Sequence, residues 1–283
     1  MIQHRVCTQS DCDTGPTEPQ GVDMYKVVGL AIGLGLIIVG SMGCEGGGSS
    51  GGGSGPFGGN DLISLHYDHA PDRDDGQSAA ADRTLLQSTV GTSRAIAVSG
   101  AHGRNGGSFN PASDNVMNAA WPGQWTAAHG NREAAVASLA QRWGATLRSG
   151  GDIWVKEGGQ SDLTAAVVAQ IKIQQPDVNT KERIHVVQHG EWNEAQTTPS
   201  ALQYVRAETD YIRIANANSY LKGPRDEAFV QAAVNHPVHG SYWQAAFDYY
   251  PNIIDFSDTG ELMYILGLGQ IGIDEFRARY LDQ

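Results

Sequence analysis

Apolar and polar positions divide the chain into three regimes. Val27–Gly40 (VVGLAIGLGLIIVG) is continuously apolar, residues 45–60 are nearly all glycine and serine, and from Asp61 onward short apolar runs alternate with longer stretches of helical period. Asp61–Tyr67 (DLISLHY) alternates as a strand does, Gln77–Val90 is rich in Ala and Leu and predicts a helix, and Arg94–Ser99 (RAIAVS) predicts a second strand. Asn131 reads as the N-cap of a helix that sets Ala135, Leu139, Trp143 and Leu147 on one face at i+4 spacing. Asp152–Lys156 (DIWVK) predicts a third strand, Leu163–Gln174 a helix and Arg183–Gln188 (RIHVVQ) a fourth strand. Pro199–Thr209 reads as helical and Tyr211–Ala215 (YIRIA) as extended, and no segment repeats. Strands alternating with helices over connections this short predict βαβ units, hence an α/β fold with a mostly parallel β-sheet flanked by helices. In such open sheets a ligand binds beyond the carboxyl ends of the strands, so the residues that follow each strand are the candidates for chemistry.

The first two regimes read as targeting and tether. An apolar run of this length is short of the roughly 20 residues a spanning helix needs. Lys26 ahead of it and small residues behind it have the form of a signal peptide, for which Met24 is a natural start. The organisation expected is therefore 1–23 as an over-long start, 24–43 as signal peptide, 44–60 as a flexible Gly/Ser tether and 61–283 as one domain. Ser41-Met42-Gly43-Cys44 resembles the lipobox of bacterial lipoproteins, although Ser41 stands where that motif has leucine. The resemblance implies export to the bacterial periplasm or cell surface and membrane attachment through a lipid anchor at Cys44; the alternative is a plain signal peptide or an uncleaved anchor. Cys7, Cys12 and Cys44 all precede the domain, so its fold has no disulfide to draw on. A net charge of −12 argues against nucleic acid as a partner, because that binding rests on Lys and Arg neutralising phosphates.

Composition says little more, but the turn after the first strand says a good deal. It reads Asp68-His69-Ala70-Pro71-Asp72-Arg73-Asp74-Asp75-Gly76, with four carboxylates in eight residues. Such a cluster repels itself unless a cation or solvent lies between its members. Hard oxygen donors suit Ca²⁺, or less well Mg²⁺, and the spacing is not that of the helix–loop–helix calcium loop. A solvated acidic turn is the plainer alternative.

Asp68-x-x-Pro71-x-x-Asp74-Asp75 after an apolar strand resembles the D-x-D-P-x-x-D-D fingerprint of calcium-dependent nucleoside hydrolases. It is also similar to related bacterial proteins described as sugar- or cellulose-binding. Gly158-Gly159-Gln160-Ser161-Asp162-Leu163-Thr164 is similar to the hydrolases' G-P-L-T-N-L-A, and Asp258-Thr259-Gly260-Glu261-Leu262 to the stretch that supplies their distant aspartate. The resemblance implies a Rossmann-like open sheet, with calcium held by Asp68, Asp74, Asp75, the Ser161 carbonyl and Asp258, Asp255 competing for the last place. Ala70 departs from the pattern. It stands where the hydrolases place the aspartate that activates water, and Asp72, just past the proline, is the candidate to replace it. The residues after the other strands, and a C-terminal stretch in which His236, His239 and Trp243 have aromatic company, complete the set. His189 and His239 are candidates for protonating a leaving group, and Asn105, Glu191, Trp192, Asn193 and Asn218 for binding substrate. His102, Asn216 and His236 are weaker candidates, and His66, inside the first strand, reads as structural. Trp121, Trp125, Trp192 and Trp243 are each either core or a stacking platform.

The function implied is cleavage of an N-glycosidic or related glycosidic bond in a nucleoside-like or sugar substrate. In such reactions carboxylates and a cation stabilise a positively charged, oxocarbenium-like transition state. A non-catalytic carbohydrate- or nucleoside-binding lipoprotein on the same fold is the rival that Ala70 favours, and a structural calcium clamp is a third. An oligomer is compatible with all of them.

Overall fold

A computed structural model of the chain describes residues 55–69, 73–103 and 109–283. The expected signal peptide, Cys44, the expected tether up to residue 54, and Ala70, Asp72 and Asn105 lie outside the described residues. In chain order the elements are β1 (Leu62–Tyr67), α1 (Asp74–Ser88), β2 (Ala95–Ser99), α2 (Ser113–Ala120), β3 (Trp125–Ala127), α3 (Arg132–Arg148), β4 (Ile153–Gly158), α4 (Asp162–Gln174), α5 (Thr180–Arg183), β5 (Ile184–His189), α6 (Trp192–Gln196) and α7 (Pro199–Glu208). They continue with β6 (Asp210–Ile214), α8 (Asn218–Leu221), β7 (Lys222–Pro224), α9 (Glu227–Val234), α10 (Gly240–Tyr249), β8 (Ile253–Asp255), α11 (Thr259–Ile265) and α12 (Ile273–Tyr280).

Six strands form one sheet in the order β3-β2-β1-β4-β5-β6, every pair parallel, and β7 and β8 make a small antiparallel ribbon. The expected α/β open sheet is the fold. Strand alternation sends side chains to two helical layers. Ile63, Leu65 and Tyr67 of β1 with Ala95 and Ala97 of β2 share a core with residues of α1, α2, α9, α10, α11 and α12. Leu62, Ile96, Val98, Ile153, Val155 and Val186 share the other with residues of α3, α4 and α7. In that second layer the Asn131 side chain accepts the Ala134 N–H at 3.0 Å, and the Ala135, Leu139, Trp143 and Leu147 stripe is buried, as their spacing predicts.

The topology fixes where a ligand can go. From β1 the chain moves outward to β2 and β3, then crosses back to lay β4 against the other side of β1. The connections leaving β1 and β4 therefore diverge, and the crevice between them at the carboxyl ends is the switch point of the sheet. Two glycines close β4 there. A Cβ on Gly158 would run into the Lys156 ammonium and stand 3.0 Å from the Asp258 Cβ, and one on Gly159 would lie 3.2 Å from the Asp68 Cβ. Without side chains at 158 and 159, Asp68 and Asp258 approach the end of β4 from either side.

Candidate metal and ligand site

A cavity of about 250 Å³ opens at this switch point. It is lined by Asp68 beyond β1, Asp74 in the first turn of α1, Gly158 ending β4, the 189–193 segment beyond β5, Asn216 and Asn218 beyond β6, Lys222 on β7, and Asp258 ahead of α11. Four different strand ends thus deliver the polar residues that the sequence singles out.

The acidic wall is built by α1. The helix begins at Asp74, three residues ahead of the sequence-based boundary at Gln77, so both Asp74 and Asp75 fall in its first turn, where the helix dipole favours negative charge. Gly76 is bare because the Tyr249 ring lies against it, 2.6 Å from where a Cβ would be. His69 adopts a left-handed backbone (φ 50°), unusual for a residue with a side chain, and this turns its N–H onto Asp75 Oδ2 at 2.5 Å. Asp74, Asp75 and Asp258 each offer a carboxylate oxygen within 4.8 Å of the others, a group close enough to hold a metal ion. Asp75 Oδ1 and Asp258 Oδ2 are buried and have no hydrogen-bond partner. Burial, and then repulsion from Asp68, Asp258 and Asp74, push the Asp75 carboxyl well above the usual carboxylate range. Burial works against ionisation of Asp258 too, but Lys156 and the hydrogen bond from His189 outweigh it and hold that carboxyl down to about 2. Hard oxygen donors, two orphaned carboxylate oxygens and mutual repulsion make the group fit a divalent cation.

Two of the five expected metal ligands stand outside this triad. Asp68 lines the cavity, but its Oδ2 accepts a 2.6 Å hydrogen bond from Gln160 Nε2. Ser161 stands just ahead of α4, which begins at Asp162, and its carbonyl oxygen accepts the Ala165 N–H at 2.8 Å, which uses one of its two lone pairs. Asp255 does not compete with Asp258, because it pairs with Lys222 Nζ at 2.8 Å and with the Ser257 hydroxyl at 3.0 Å.

The histidines divide. His189 lines the cavity, but its Nε2 lies 2.8 Å from Asp258 Oδ1 and its Nδ1 accepts the Ala217 N–H at 3.4 Å. That pattern places the ring proton on Nε2, committed to Asp258, so His189 orients a carboxylate and does not present a free acid. His239 is not at the site. It stacks on His236 and hydrogen-bonds Tyr242, whose hydroxyl also meets Gln87, among the helices of the α1 layer. The aromatic neighbours of His239 are helix packing. His66, also buried, bridges Ser64, Glu157 and Thr164, as a structural histidine does.

On the opposite wall Asn216 Oδ1 accepts from Asn218 N and Nδ2, and Asn193 Oδ1 accepts from Gln160 Nε2 at 3.1 Å. Trp192 is 46% exposed at the mouth, whereas Trp121 and Trp243 are core. Glu191 turns outward, its carboxylate on Arg213 at 3.0 Å.

Three residues escape sequence reasoning. Gln160 ties the connections after four strands together, because its Oε1 accepts Gly103 N while its Nε2 reaches Asp68 and Asn193. Lys156 and Glu157 are consecutive on β4 and fully buried on opposite faces, Lys156 toward Asp82 and Asp258, Glu157 toward His66 and Thr164. Comparison of the chain with protein-family models, with curated proteins and with solved structures gave no match.

Proposed function

We propose that the switch-point cavity is a divalent-cation site, calcium before magnesium, at which an N-glycosidic or related glycosidic bond of a nucleoside-like or sugar substrate is hydrolysed. The observation that carries the reading is the convergence of Asp74, Asp75 and Asp258, two of them with unpartnered buried oxygens, directly beside an open cavity. A cation held by these three would fix vicinal sugar hydroxyls and make an attacking water more acidic. The carboxylates supply the negative field that an oxocarbenium-like transition state requires. Asn216, Asn218 and Asn193 offer hydrogen bonds to sugar hydroxyls, and Trp192 offers a face for the departing group at the mouth. The cavity is below the roughly 300–1,000 Å³ of drug-sized ligand sites, so a sugar ring inside with its substituent at the Trp192 rim fits the volume. Asp72 is the proposed acceptor of the water's proton. Export and a lipid anchor at Cys44 complete the proposal, and Cys44→Ser should then abolish fractionation with membranes.

The second reading, a binding protein on the same site, is favoured by one specific observation: the His189 ring proton is already given to Asp258, so departure of the leaving group has no assistance from that side chain. Release of free base or reducing sugar, measured for wild type, Asp75→Ala and Asp72→Asn with calcium and with chelator, separates the two. Calcium-dependent turnover lost in both variants supports the hydrolase. Sugar binding without turnover, across a broad panel of nucleosides and aryl glycosides, supports the binder.

A further inference from the structure

The cation reading of the triad leaves Lys156 unexplained. On the α1 side of the switch point lie seven buried carboxylates, Asp68, Asp74, Asp75, Asp82, Asp258, Glu261 and Asp255, the last paired with Lys222. Lys156 is the only lysine or arginine among the described residues that is itself buried, and it lies in their midst. A stabilising buried ion pair would hold its partners at hydrogen-bonding distance. Lys156 does not. Its Nζ is 3.7 Å from Asp82 Oδ2 and 3.8 Å from Asp258 Oδ2, lies 4.1 Å from the centre of the Tyr67 ring, and has no hydrogen-bond partner. Its strand neighbours in register are Leu65 and Val187, both buried apolar residues, so methionine would suit the packing as well. Burial works against the ammonium, and the carboxylates Asp258, Asp82, Glu261 and Asp75 outweigh it and keep the group charged, although no hydrogen bond fixes it. What it changes is charge. One full positive charge touches the outer face of Asp258, whose other oxygen is held by His189.

We propose that Lys156 is a built-in counter-cation that sets the affinity of the triad, holding Asp258 in place without metal, opposing an incoming divalent ion, and limiting the basin to one weakly held cation. The proposal rests on the cation reading of Asp74, Asp75 and Asp258, and adds to it the residue that decides how tightly the ion binds. Two positive charges sharing a carboxylate in a buried basin repel one another, and the repulsion is larger for a divalent ion than for sodium or potassium. Asp82, on the far side of the ammonium, has the opposite effect: its charge partly cancels that of Lys156, and it is fixed by a 2.6 Å hydrogen bond from the Tyr67 hydroxyl that an asparagine carbonyl would also accept.

The two residues thus predict changes of opposite sign, which loss of packing alone would not produce. The test is titration of the purified full-length protein with CaCl₂ by calorimetry at pH 8.5, where protons compete least for the carboxylates, with thermal melts to confirm folding. Lys156→Met should bind calcium about tenfold tighter or better, with no loss of stoichiometry, and Asp82→Asn several-fold weaker. Calcium binding that is unchanged or weaker in a folded Lys156→Met protein overturns the proposal. If Lys156→Met fails to fold, Asp82→Asn still decides, since affinity equal to wild type or tighter overturns it. A wild type that ignores calcium while Lys156→Met binds it supports the proposal in its strongest form, with the ammonium standing in for the metal. Failure of every variant to bind calcium, magnesium or manganese overturns the cation reading itself, and this inference with it.

Discussion

Replacing Asp75 with asparagine should make the metal-free protein more stable while removing its response to calcium. Asp75 is 1% exposed, its Oδ1 has no partner, and burial together with Asp68, Asp258 and Asp74 disfavours its charge. Asparagine keeps the carbonyl that accepts the His69 N–H and puts an NH₂ where the orphaned oxygen lies, exchanging a repulsion for a donor facing carboxylates. Satisfying a buried unpaired polar group is worth about 1–3 kcal/mol. Taking the lower half of that range, and about 2–4 °C per kcal/mol for a domain of 150–250 residues, the apo variant should melt some 2–8 °C above apo wild type at pH 8. The sign of the pH dependence follows from linkage. Asp75 has a folded-state pKa raised above its unfolded value, so below about pH 4 both states hold the proton and no penalty exists. As pH rises past that point the unfolded chain ionises first and wild-type stability falls. The advantage of Asp75→Asn should therefore grow from near zero at pH 4 toward neutral pH. Calcium reverses the order. At one hundred times its Kd it adds about 2.7 kcal/mol to wild type by mass action and little to the variant. Melting curves at pH 4.5 and 8, with calcium and with chelator, test this. An apo variant that melts below apo wild type at pH 8, or one that keeps the full calcium shift, refutes the reasoning.

Gly158→Ala places a methyl against Lys156 and Asp258 and should lower the melting temperature and the calcium shift together, whereas Gly59→Ala, which meets nothing within 4 Å though its φ of 44° is strained, should leave the calcium shift alone. Trp192→Ala should weaken binding of a nucleoside or aryl glycoside by about tenfold, the loss of one aromatic stacking partner, with no change in melting temperature; an unchanged Kd removes Trp192 from the site. His69, buried with both ring nitrogens unpartnered, has its pKa lowered to about 3 by burial and then by Lys156. A histidine whose folded pKa is depressed contributes stability that is lost as pH falls from its unfolded value near 6.5 toward 3, at about 1.4 kcal/mol per pH unit within that window. His69→Asn, which tolerates the left-handed backbone, should flatten acid unfolding there, and an unaltered profile counts against the assignment.

What the sequence made legible and what it concealed divide along a physical line. Signals that act within one element were readable: the period-2 run of β1, the Asn131 cap, the buried stripe of α3, the carboxylates crowded after β1. Because a parallel sheet gathers its strand ends, those local signals also placed Asp68, Asp74, His189, Asn193, Asn218 and Asp258 in one cavity without knowledge of any contact. Relations between elements were hidden. Lys156 ends the predicted strand Asp152–Lys156 with nothing in the sequence to mark it as buried; its counter-charges come from α1 and from the turn before α11, 74 and 102 residues away, as 156 − 82 and 258 − 156 give. The sequence predicts α4 from Leu163, one residue late, so it does not show that the Ser161 carbonyl also accepts a helix N–H. His239 was misread because aromatic neighbours in sequence suggest a binding face, and α10 turns that face into the packing of the α1 layer.

The same line explains how the site is held together. Four of the acids on the α1 side are fixed by a hydrogen-bond partner from outside their own element: Asp75 by the His69 N–H, Asp68 by Gln160, Asp258 by His189, and Asp82 by Tyr67. Lys156 stands farther off, 3.7 Å from Asp82 and 3.8 Å from Asp258. Hydrogen bonds from such donors orient carboxylates without bringing a counter-charge, so the geometry of the proposed cation site is set by the fold itself. Lys156 supplies the limited neutralisation that lets such a basin fold. If the proposed cation site holds, such a centre would give up part of its binding strength for folding without metal, and its calcium affinity would be weaker than that of an all-carboxylate basin.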